Sequence, residues 1–513
     1  MTAHTETSRV APVTAAVIIV GSICLLLAAE LADANLKILA PVLAVVVIGA
    51  ACYRALLPWR AQVGLIVYVI WFIPIKRYTL PINLPFQLEP YRLIVGLVFL
   101  VWLTSLMIDP RVRARKTAFD GPVVAYGIAI VLSLLANPHR VARVSTDVIK
   151  TLLFTATFFI VYYVIASVIR DRRQLDFIVR ALVTGGVGVA ISAIVEWRTS
   201  YSIFNHLHSI MPFLRFNGAY QTDHTGRLRV FASAQHPIAL GAALMLLVPF
   251  AIYLLKLTKH KRWWLAILVL LLGSLATSSR TAITMLAAMG LVYLTTRPRD
   301  VRRMWPAILP ILVAVHFAIP GALGENFKAF FPKGGLIAEQ KDAGNGHGRV
   351  ASFWPAMHNE VSKDPMLGEG FGTRIVAALG AKSSNATAAI LDDQWLGALC
   401  ETGLVGVFSL GWLFVRFLRR TRREAKDDDS PRAWLLLAAG AASTAFAVGM
   451  LTYDAFGFIQ VTFLLFITFG IGAVALHLSP ADWEEAPETV KLASERVLGL
   501  RPLAGGAPYA PEA

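Results

Sequence analysis

Residues 346–372, GHGRVASFWPAMHNEVSKDPMLGEGFG, and residues 391–406, LDDQWLGALCETGLVG, lie in and directly after the longest polar interval of a chain built mainly from apolar runs. The first stretch is polar and aromatic. The second leads into an apolar run that contains Glu401. An ionisable side chain within such a run is costly unless it is paired, so we expect any chemistry of this protein to centre here.

The runs on either side of this interval have the length of membrane-spanning helices. Of the 513 residues, 56% are hydrophobic, and many uninterrupted apolar runs approach the ~20 residues that a bilayer-spanning helix needs. We therefore predict an all-α, polytopic helical membrane protein with about 14 transmembrane helices. The first run, residues 11–31, is interpreted as an uncleaved span, with a cleaved signal peptide as the alternative.

Two long polar segments divide the spans into groups. About seven N-terminal transmembrane helices are predicted in residues 1–196, followed by an outer-face polar loop in 197–235 and about four transmembrane helices in 236–320. A large outer-face loop with short amphipathic helices is predicted in 321–391, then about three transmembrane helices in 392–476. Residues 477–513, rich in Ala, Pro and Glu, are predicted to form a cytoplasmic, partly disordered tail.

The distribution of basic residues predicts the orientation. The net charge is +16, and most Lys and Arg residues fall in every second loop, as expected of cytoplasmic loops. Both termini are then cytoplasmic, and the two long polar segments face outward. Lys76, Arg77, Arg140 and Arg143 fall in the opposite set of loops, so the bias is incomplete. The short cytoplasmic loops and the lack of a GxxxxGK[ST] motif favour an activated substrate that needs no ATP at the site.

Outward-facing arginines indicate an anion site. Arg280 lies between two spans with almost no loop around it, and Arg229 precedes the next span in RLRVFASAQHPIALG. Arg349 begins a segment in which Trp354, Met357 and Val361 are predicted to share one helical face. Alone, Arg280 is equally explained as a snorkelling charge at a helix end, and Arg229 and Arg349 are each better explained as solvated loop charges. Together their forked, permanently charged donors suit a phosphate, and two more arginines lie upstream of Arg229: Arg227 and Arg215.

Carboxylates follow at the end of the long loop. Asp392 and Asp393 precede the span that contains Glu401. If a helix begins near Asp393, then Asp393, Gly397 and Glu401 share a face, with the two carboxylates about 12 Å apart along the axis. The aspartates are interpreted either as catalytic groups or as helix caps. Glu401 is expected to pair with an arginine from a neighbouring span end.

Histidine and cysteine residues give weaker indications. His236, beside Pro237 at the start of a span, and His347, in the long loop, remain candidates, although isolated histidines are more often structural. The three cysteines lie in apolar runs, without the spacing of a zinc site or a disulfide framework. We therefore expect no metal and no cofactor.

Four of these sequences resemble the O-antigen ligase and O-antigen polymerase family of polytopic bacterial glycosyltransferases. The matching pieces occur in the family's order between residues 229 and 406: RVFASAQHPIALG, TSSRTAITMLA, GRVASFWPAM with DPMLGEGFG, and DDQWLGALCETGLVG. The resemblance implies metal-independent glycan transfer from an undecaprenyl-pyrophosphate carrier to an acceptor hydroxyl, at the outer face of the inner membrane. In this reading Arg229, Arg280 and Arg349 neutralise the departing diphosphate.

The chain departs from the family at one important place. Ligases of the family usually carry His-Asn where this chain has Asp392 and Asp393. A carboxylate can also accept a proton from an attacking hydroxyl, so either aspartate is a candidate base. The change favours a polymerase, or another ligase of extracellular polysaccharide such as exopolysaccharide, over a lipid A-core ligase.

Two alternatives to this enzyme remain open. One is a flippase or transporter of lipid-linked oligosaccharide, which would place polar groups near the bilayer midplane. The other is an inactive partner in envelope assembly, because loss of the His-Asn pair is a change that an inactive relative would also show. The expected partners are a polyprenyl-diphosphate-linked donor, a glycan or lipid acceptor and envelope-assembly proteins, with no nucleic acid.

Overall fold

The structure is a computed structural model that describes residues 58–80, 89–108, 112–217, 229–322, 324, 326–327, 353–354, 356–374, 391–479 and 483. The following helices are found: α1 Trp59–Phe72, α2 Pro90–Ile108, α3 Asp120–Ala136, α4 Pro138–Arg143, α5 Ser145–Val168, α6 Arg172–Thr199, α7 Leu207–Ile210, α8 Pro237–Thr258, α9 Arg262–Leu275, α10 Arg280–Thr296, α11 Pro298–Met304, α12 Ile308–Ala318, α13 Gln394–Ala425, α14 Pro431–Gly449 and α15 Ile459–His477. Shorter elements are 3₁₀ turns at Ile203–Asn205 and Trp305–Ala307, a π-helical turn at Met357–Val361, and strands β1 Tyr78–Thr79 and β2 Arg215–Phe216.

The predicted all-α membrane architecture is confirmed. Each span predicted after residue 58 coincides with a helix, whereas the first two predicted spans lie outside the described residues. By length and composition, 7 of the described helices can cross a membrane, or up to 8 if α11 and α12 form one bent span. Three shorter apolar helices, α1, α3 and α9, fall below that length. The structure therefore supports a multi-pass protein without establishing the predicted number of spans.

Several helices begin where the sequence supplies a cap. Asp171 accepts a hydrogen bond from the backbone N–H of Gln174 at the start of α6 (2.8 Å). Ser430 does the same for Ala433 at the start of α14 (3.2 Å), directly before Pro431. These caps satisfy backbone donors that the first helical turn leaves without an intrahelical acceptor.

Helices α8, α14 and α15 form the centre of the bundle, because almost all of their residues are buried. In contrast, α2 is buried only at Tyr91, Val95 and Val98, and its other face is apolar and exposed, as expected of a lipid-facing helix. Small residues allow close packing between helices. A Cβ added at Gly273 of α9 would lie 2.7 Å from the Cβ of Ala190 in α6.

The two-stranded ribbon was not predicted from the sequence. Tyr78 and Thr79 of β1 pair antiparallel with Phe216 and Arg215 of β2. The Tyr78 hydroxyl donates to the carbonyl of Phe204 (2.8 Å), which fixes the ribbon to the segment after α6. Two-residue strands carry too short a pattern for recognition from sequence.

Candidate functional site

The connection between α14 and α15, residues 450–458, is where several distant span ends meet. The backbone N–H of Gln394, at the start of α13, donates to the carbonyl of Met450 (2.8 Å). The side-chain carbonyl of Gln394 accepts from the N–H of Phe456 (2.7 Å). The backbone and the side chain of Gln394 therefore both connect the start of α13 to residues 450–458.

Three further segments reach the same connection. The side-chain ammonium of Lys76, after α1, donates to the carbonyl of Gly457 (3.2 Å). The hydroxyls of Thr281 in α10 and Thr452 are hydrogen-bonded at 2.7 Å, which places the residue next to Arg280 against the connection. Before α8, Gln235 accepts from the N–H of Ile459 (3.0 Å).

Arg374 lies at the centre of a group of carboxylates beside this connection. Its Nε is 3.5 Å from Glu360 Oε2, and only 11% of the Arg374 side chain is exposed. Glu401 and Asp454 both lie within electrostatic range of the same guanidinium. A Cβ at Gly397 would lie 2.9 Å from Arg374 Nη1, so the guanidinium covers the α13 face between Asp393 and Glu401.

Asp454 is the carboxylate of residues 450–458. Its side chain accepts from the backbone N–H of Gly457 and remains accessible to solvent, although the surrounding segments enclose it. Partial loss of hydration among the surrounding segments raises the pKa of Asp454 above the ordinary value. Arg374 and Lys76 oppose that rise, and Asp392 adds to it. A carboxyl group with a raised pKa is better suited to accept a proton than an ordinary surface aspartate.

Glu401 lies next to a break in helix α13. Gly403 has φ 61° and ψ −166°, a conformation available essentially to glycine alone, and it interrupts the helix two residues after Glu401. The DPMLGEG segment forms hydrogen bonds with backbone groups that lose their intrahelical partners at the break. The N–H of Leu404 donates to Pro365 O (2.9 Å), and the N–H of Glu369 donates to Cys400 O (2.8 Å). Thus two stretches singled out in the sequence interlock through their backbones.

Asp393 is the N-cap of α13. Its Oδ1 accepts from the backbone N–H groups of Trp395 (2.9 Å) and Leu396 (3.1 Å). Of the two interpretations offered for this residue, the structure shows the cap geometry. Both hydrogen bonds go to Oδ1, so this oxygen of Asp393 holds the first turn of α13.

The histidine before α8 also lies against residues 450–458. His236 caps α8, with Nδ1 accepting from Ile238 N–H (3.2 Å), and its ring stacks on Phe458 at 5.5 Å. Burial lowers the pKa of His236 to about 4, with a further contribution from Arg229. His236 is therefore neutral near pH 7, and its capping nitrogen is an acceptor.

Some predicted residues are not placed at the site. Arg227, Arg349 and His347 lie outside the described residues. Arg215 is exposed on β2, and within the described ranges no contact joins it to residues 450–458. The expected common face of Trp354 and Val361 is wrong: Trp354 is 63% exposed and Val361 is 7% exposed. The π-helical turn at Met357–Val361 changes the period between them.

Sequence reasoning missed Arg374, Asp454 and the role of Lys76. Arg374 follows the GEGFG stretch and belongs to the same predicted outer-face loop as Arg349, so that indication was available. Glu401 was expected to pair with an arginine from a neighbouring span end. The arginine within electrostatic range of Glu401 is instead Arg374, which belongs to the long loop. Asp454 is a single acid in a short connection, and sequence alone does not show which other segments enclose it.

The exceptions to the basic-residue bias occupy defined positions. Lys76 contacts Gly457, and Arg140 forms an ion pair with Glu369 in the DPMLGEG segment. Arg77 is buried and donates to Asn205 Oδ1 (2.7 Å) and to the carbonyl of Ala232. These three cations are held by specific acceptors at the end of the bundle that holds residues 450–458.

A comparison with known families agrees with this geometry. Residues 265–411 match the family model described as O-antigen ligase. Over this segment the chain is similar to the O-antigen ligase family. This match confirms the resemblance stated from the sequence, and the matched segment includes Arg280, Arg374, Asp393 and Glu401. No curated protein matches the chain.

The similarity to the O-antigen ligase family indicates glycan transfer of the ligase or polymerase kind, acting on lipid-linked glycans in a membrane. Several residues of the candidate site lie outside the matched segment, among them Lys76 and Asp454. These two reach the matched segment through the contacts of Lys76 with Gly457 and of Gln394 with residues 450–458. The site therefore includes residues from both sides of the matched segment.

Proposed function

We propose that the protein is a polysaccharide polymerase or ligase. It transfers a glycan from an undecaprenyl-pyrophosphate-linked donor to an acceptor hydroxyl during assembly of cell-surface polysaccharide. The observation that carries this proposal is the position of Arg374, which lies 3.5 Å from Glu360 and within electrostatic range of Glu401 and Asp454. It lies beside the segments of Arg229 and Arg280, in a chain whose residues 265–411 match the O-antigen ligase family model. Cations beside carboxylates suit a reaction that needs both a neutralised leaving group and a base.

The arginines bind and neutralise the donor's diphosphate. Arg280 and Arg229 belong to segments packed on residues 450–458, and Arg374 approaches from the long loop. Arg349, Arg227 and Arg215 are further outward cations that the sequence assigns to the same task. As the bond between the sugar C1 and the diphosphate oxygen breaks, negative charge grows on the diphosphate, and the guanidinium groups stabilise it.

A carboxylate accepts the proton of the attacking hydroxyl. We assign this role to Asp454, with Asp392 beside it, because partial loss of hydration raises the pKa of Asp454. The acceptor oxygen bonds to C1 while its proton passes to the carboxylate. Asp393 holds the start of α13, and Glu401 orients Arg374. No step of this scheme requires a metal ion or a cofactor.

The reaction takes place at the outward face of the bacterial inner membrane, with both termini in the cytoplasm. The support for this orientation is the bias of Lys and Arg toward one set of loops. The lipid-linked glycans that accumulate in cells lacking the protein decide between the two enzymes. Single repeat units indicate a polymerase, and finished polymers indicate a ligase.

The proposal is tested with the full chain in proteoliposomes that contain a polyprenyl-diphosphate-linked oligosaccharide. We expect Arg280→Gln and Arg374→Gln each to lower the rate of glycan transfer by at least about 100-fold. The control is Arg143→Gln, which removes an exposed arginine from α4 near the same end of the bundle and should stay within about twofold of wild type. Wild-type rates in both site variants would contradict the assignment. Movement of the lipid across the bilayer without glycan transfer would indicate a flippase.

A further inference from the structure

The end of α13 opposite Asp393 carries an arginine-lined groove that the proposed reaction does not use. The groove has a volume of about 380 Å³ and is lined by Trp412, Val415, Arg416, Arg419, Arg420 and Arg423. Most of these residues recur at helical steps of three and four, so they form one stripe along the helix. The groove is thus a concentrated positive surface on a single helix face.

The upper part of the groove is fixed by its neighbours. Arg416 Nε donates to the carbonyl of Ala118 (2.6 Å), and its guanidinium lies 5.8 Å from the centre of the Trp412 ring. A Cβ added at Gly121 would lie 3.3 Å from the Trp412 ring, so the indole packs on the start of α3. Trp412 and Arg416 are therefore held in place before any ligand binds.

The lower arginines of the groove differ from Arg416 in their contacts. In the part of the chain that the structure describes, Arg419, Arg420 and Arg423 make no ion pair or hydrogen bond through their side chains. Two of the nearby acids are occupied elsewhere: Glu424 pairs with Arg432 (3.2 Å) and Asp429 with Arg297 (2.6 Å). Three guanidinium groups thus remain available to an external anion.

The same face of α13 is apolar above the arginines. Leu404, Phe408 and Trp412 follow at steps of four, and Phe408 is 71% exposed and Trp412 45% exposed. An order of aliphatic, aromatic and cationic side chains along a spanning helix matches the order of acyl chain, interface and phosphate in a lipid. A soluble phosphate would use the arginines but not the apolar part of the stripe.

We propose that this groove binds the headgroup of an anionic phospholipid, whose phosphate pairs with Arg419, Arg420 and Arg423 and whose acyl chains lie along Leu404 and Phe408. Guanidinium groups bind phosphate oxygens through paired hydrogen bonds, and basic residues near a membrane surface attract anionic lipids. The proposal is independent of glycan transfer, because the groove and residues 450–458 lie at opposite ends of α13.

The test measures binding of phosphatidylglycerol and of phosphatidylcholine to the purified full chain by native mass spectrometry. We expect the wild type to prefer phosphatidylglycerol, and the triple variant Arg419→Gln/Arg420→Gln/Arg423→Gln to bind it at least about tenfold more weakly. The triple variant with Lys at the same positions retains the charge and should stay within about threefold of wild type. This lysine variant shows that any loss follows charge and not failure to fold.

The matched control removes three exposed arginines from α11: Arg299→Gln/Arg302→Gln/Arg303→Gln. We expect its affinity for phosphatidylglycerol to stay within about twofold of wild type. Equal losses in the two glutamine triples would mean a general charge effect and would overturn the proposal. Equal binding of the two lipids would also overturn it, as would displacement of phosphatidylglycerol by inorganic phosphate at a matching concentration.

Discussion

Asp454 illustrates how neighbouring charges set the properties of a single residue. Partial loss of hydration raises the pKa of its carboxyl group, and Asp392 acts in the same direction. Arg374 and Lys76 act in the opposite direction, and the N–H of Gly457 also favours the ionised form. Since the base must be ionised to accept a proton, activity is lost as the pH falls through this raised pKa.

Replacing Lys76 tests this balance. Lys76→Gln removes a cation that holds the pKa of Asp454 down, so we expect the acidic limb of the pH–rate profile to move to higher pH. The rate on the alkaline plateau should change less than the position of the limb. The control is Arg143→Gln, which should leave the limb in place. If the acidic limb of Lys76→Gln stays where it is in the wild type, Lys76 does not influence the pKa of the proton acceptor.

His236 gives a second prediction at this scale, for stability. Its pKa is lowered from 6.5 to about 4, so the folded state binds fewer protons than the unfolded state in that window. Stability from neutral His236 is fully present above pH 6.5 and is lost as the pH falls toward 4. His236→Asn keeps a capping side chain but cannot titrate, so its apparent Tm should fall less over this window. His236→Ala should lose about 1 kcal/mol at pH 7.

Residue identities in the site were partly predictable from sequence. Glu401 was singled out by its cost within an apolar run, and Asp393 by its position before a helix. The cation near Glu401 was not predictable. Arg374 is distant from Glu401 along the chain, and only the folding of the long loop brings it within electrostatic range. The segments that surround Asp454 were also not predictable, because they are distant from it along the chain.

The break in α13 is the element on which the site geometry depends. Gly403 and Gly368 both have positive φ, and each packs against backbone: Gly403 against Met366 and Gly368 against Glu401. A Cβ at Gly368 would lie 2.6 Å from the carbonyl carbon of Glu401. The sequence predicted a continuous span from Gln394, because an interruption by one glycine leaves the hydrophobic pattern intact.

We expect Gly403→Ala to destabilise the protein by at least about 3 kcal/mol, because its backbone conformation is strained for any side chain and the new Cβ would overlap the Met366 carbonyl. The control is Gly411→Ala in the same helix, where a Cβ meets nothing within 4 Å, and which should stay within about 1 kcal/mol of wild type. Thermal unfolding in detergent compares the two. Equal Tm values would show that the break does not constrain the fold.

At the scale of the whole molecule, apolar run length predicted most helices and their order, because the bilayer imposes that length. It did not predict which ends meet, since that depends on packing around the buried helices α8, α14 and α15. Residues 450–458 join these packed helices to the start of α13, to Lys76 and to Thr281. The site is thus a product of helix packing, and each contributing segment alone carries a weak indication of function.

The most direct test of the account is the single-turnover rate of glycan transfer by Asp454→Asn and Asp393→Asn in proteoliposomes, with donor binding measured in the same samples. Asparagine retains the cap at position 393, so we expect that variant to stay within about fivefold of wild type. We expect Asp454→Asn to lower the transfer rate by at least about 100-fold, with donor affinity within about threefold of wild type. A wild-type transfer rate in Asp454→Asn would contradict the account. So would a transfer rate that falls more in Asp393→Asn than in Asp454→Asn.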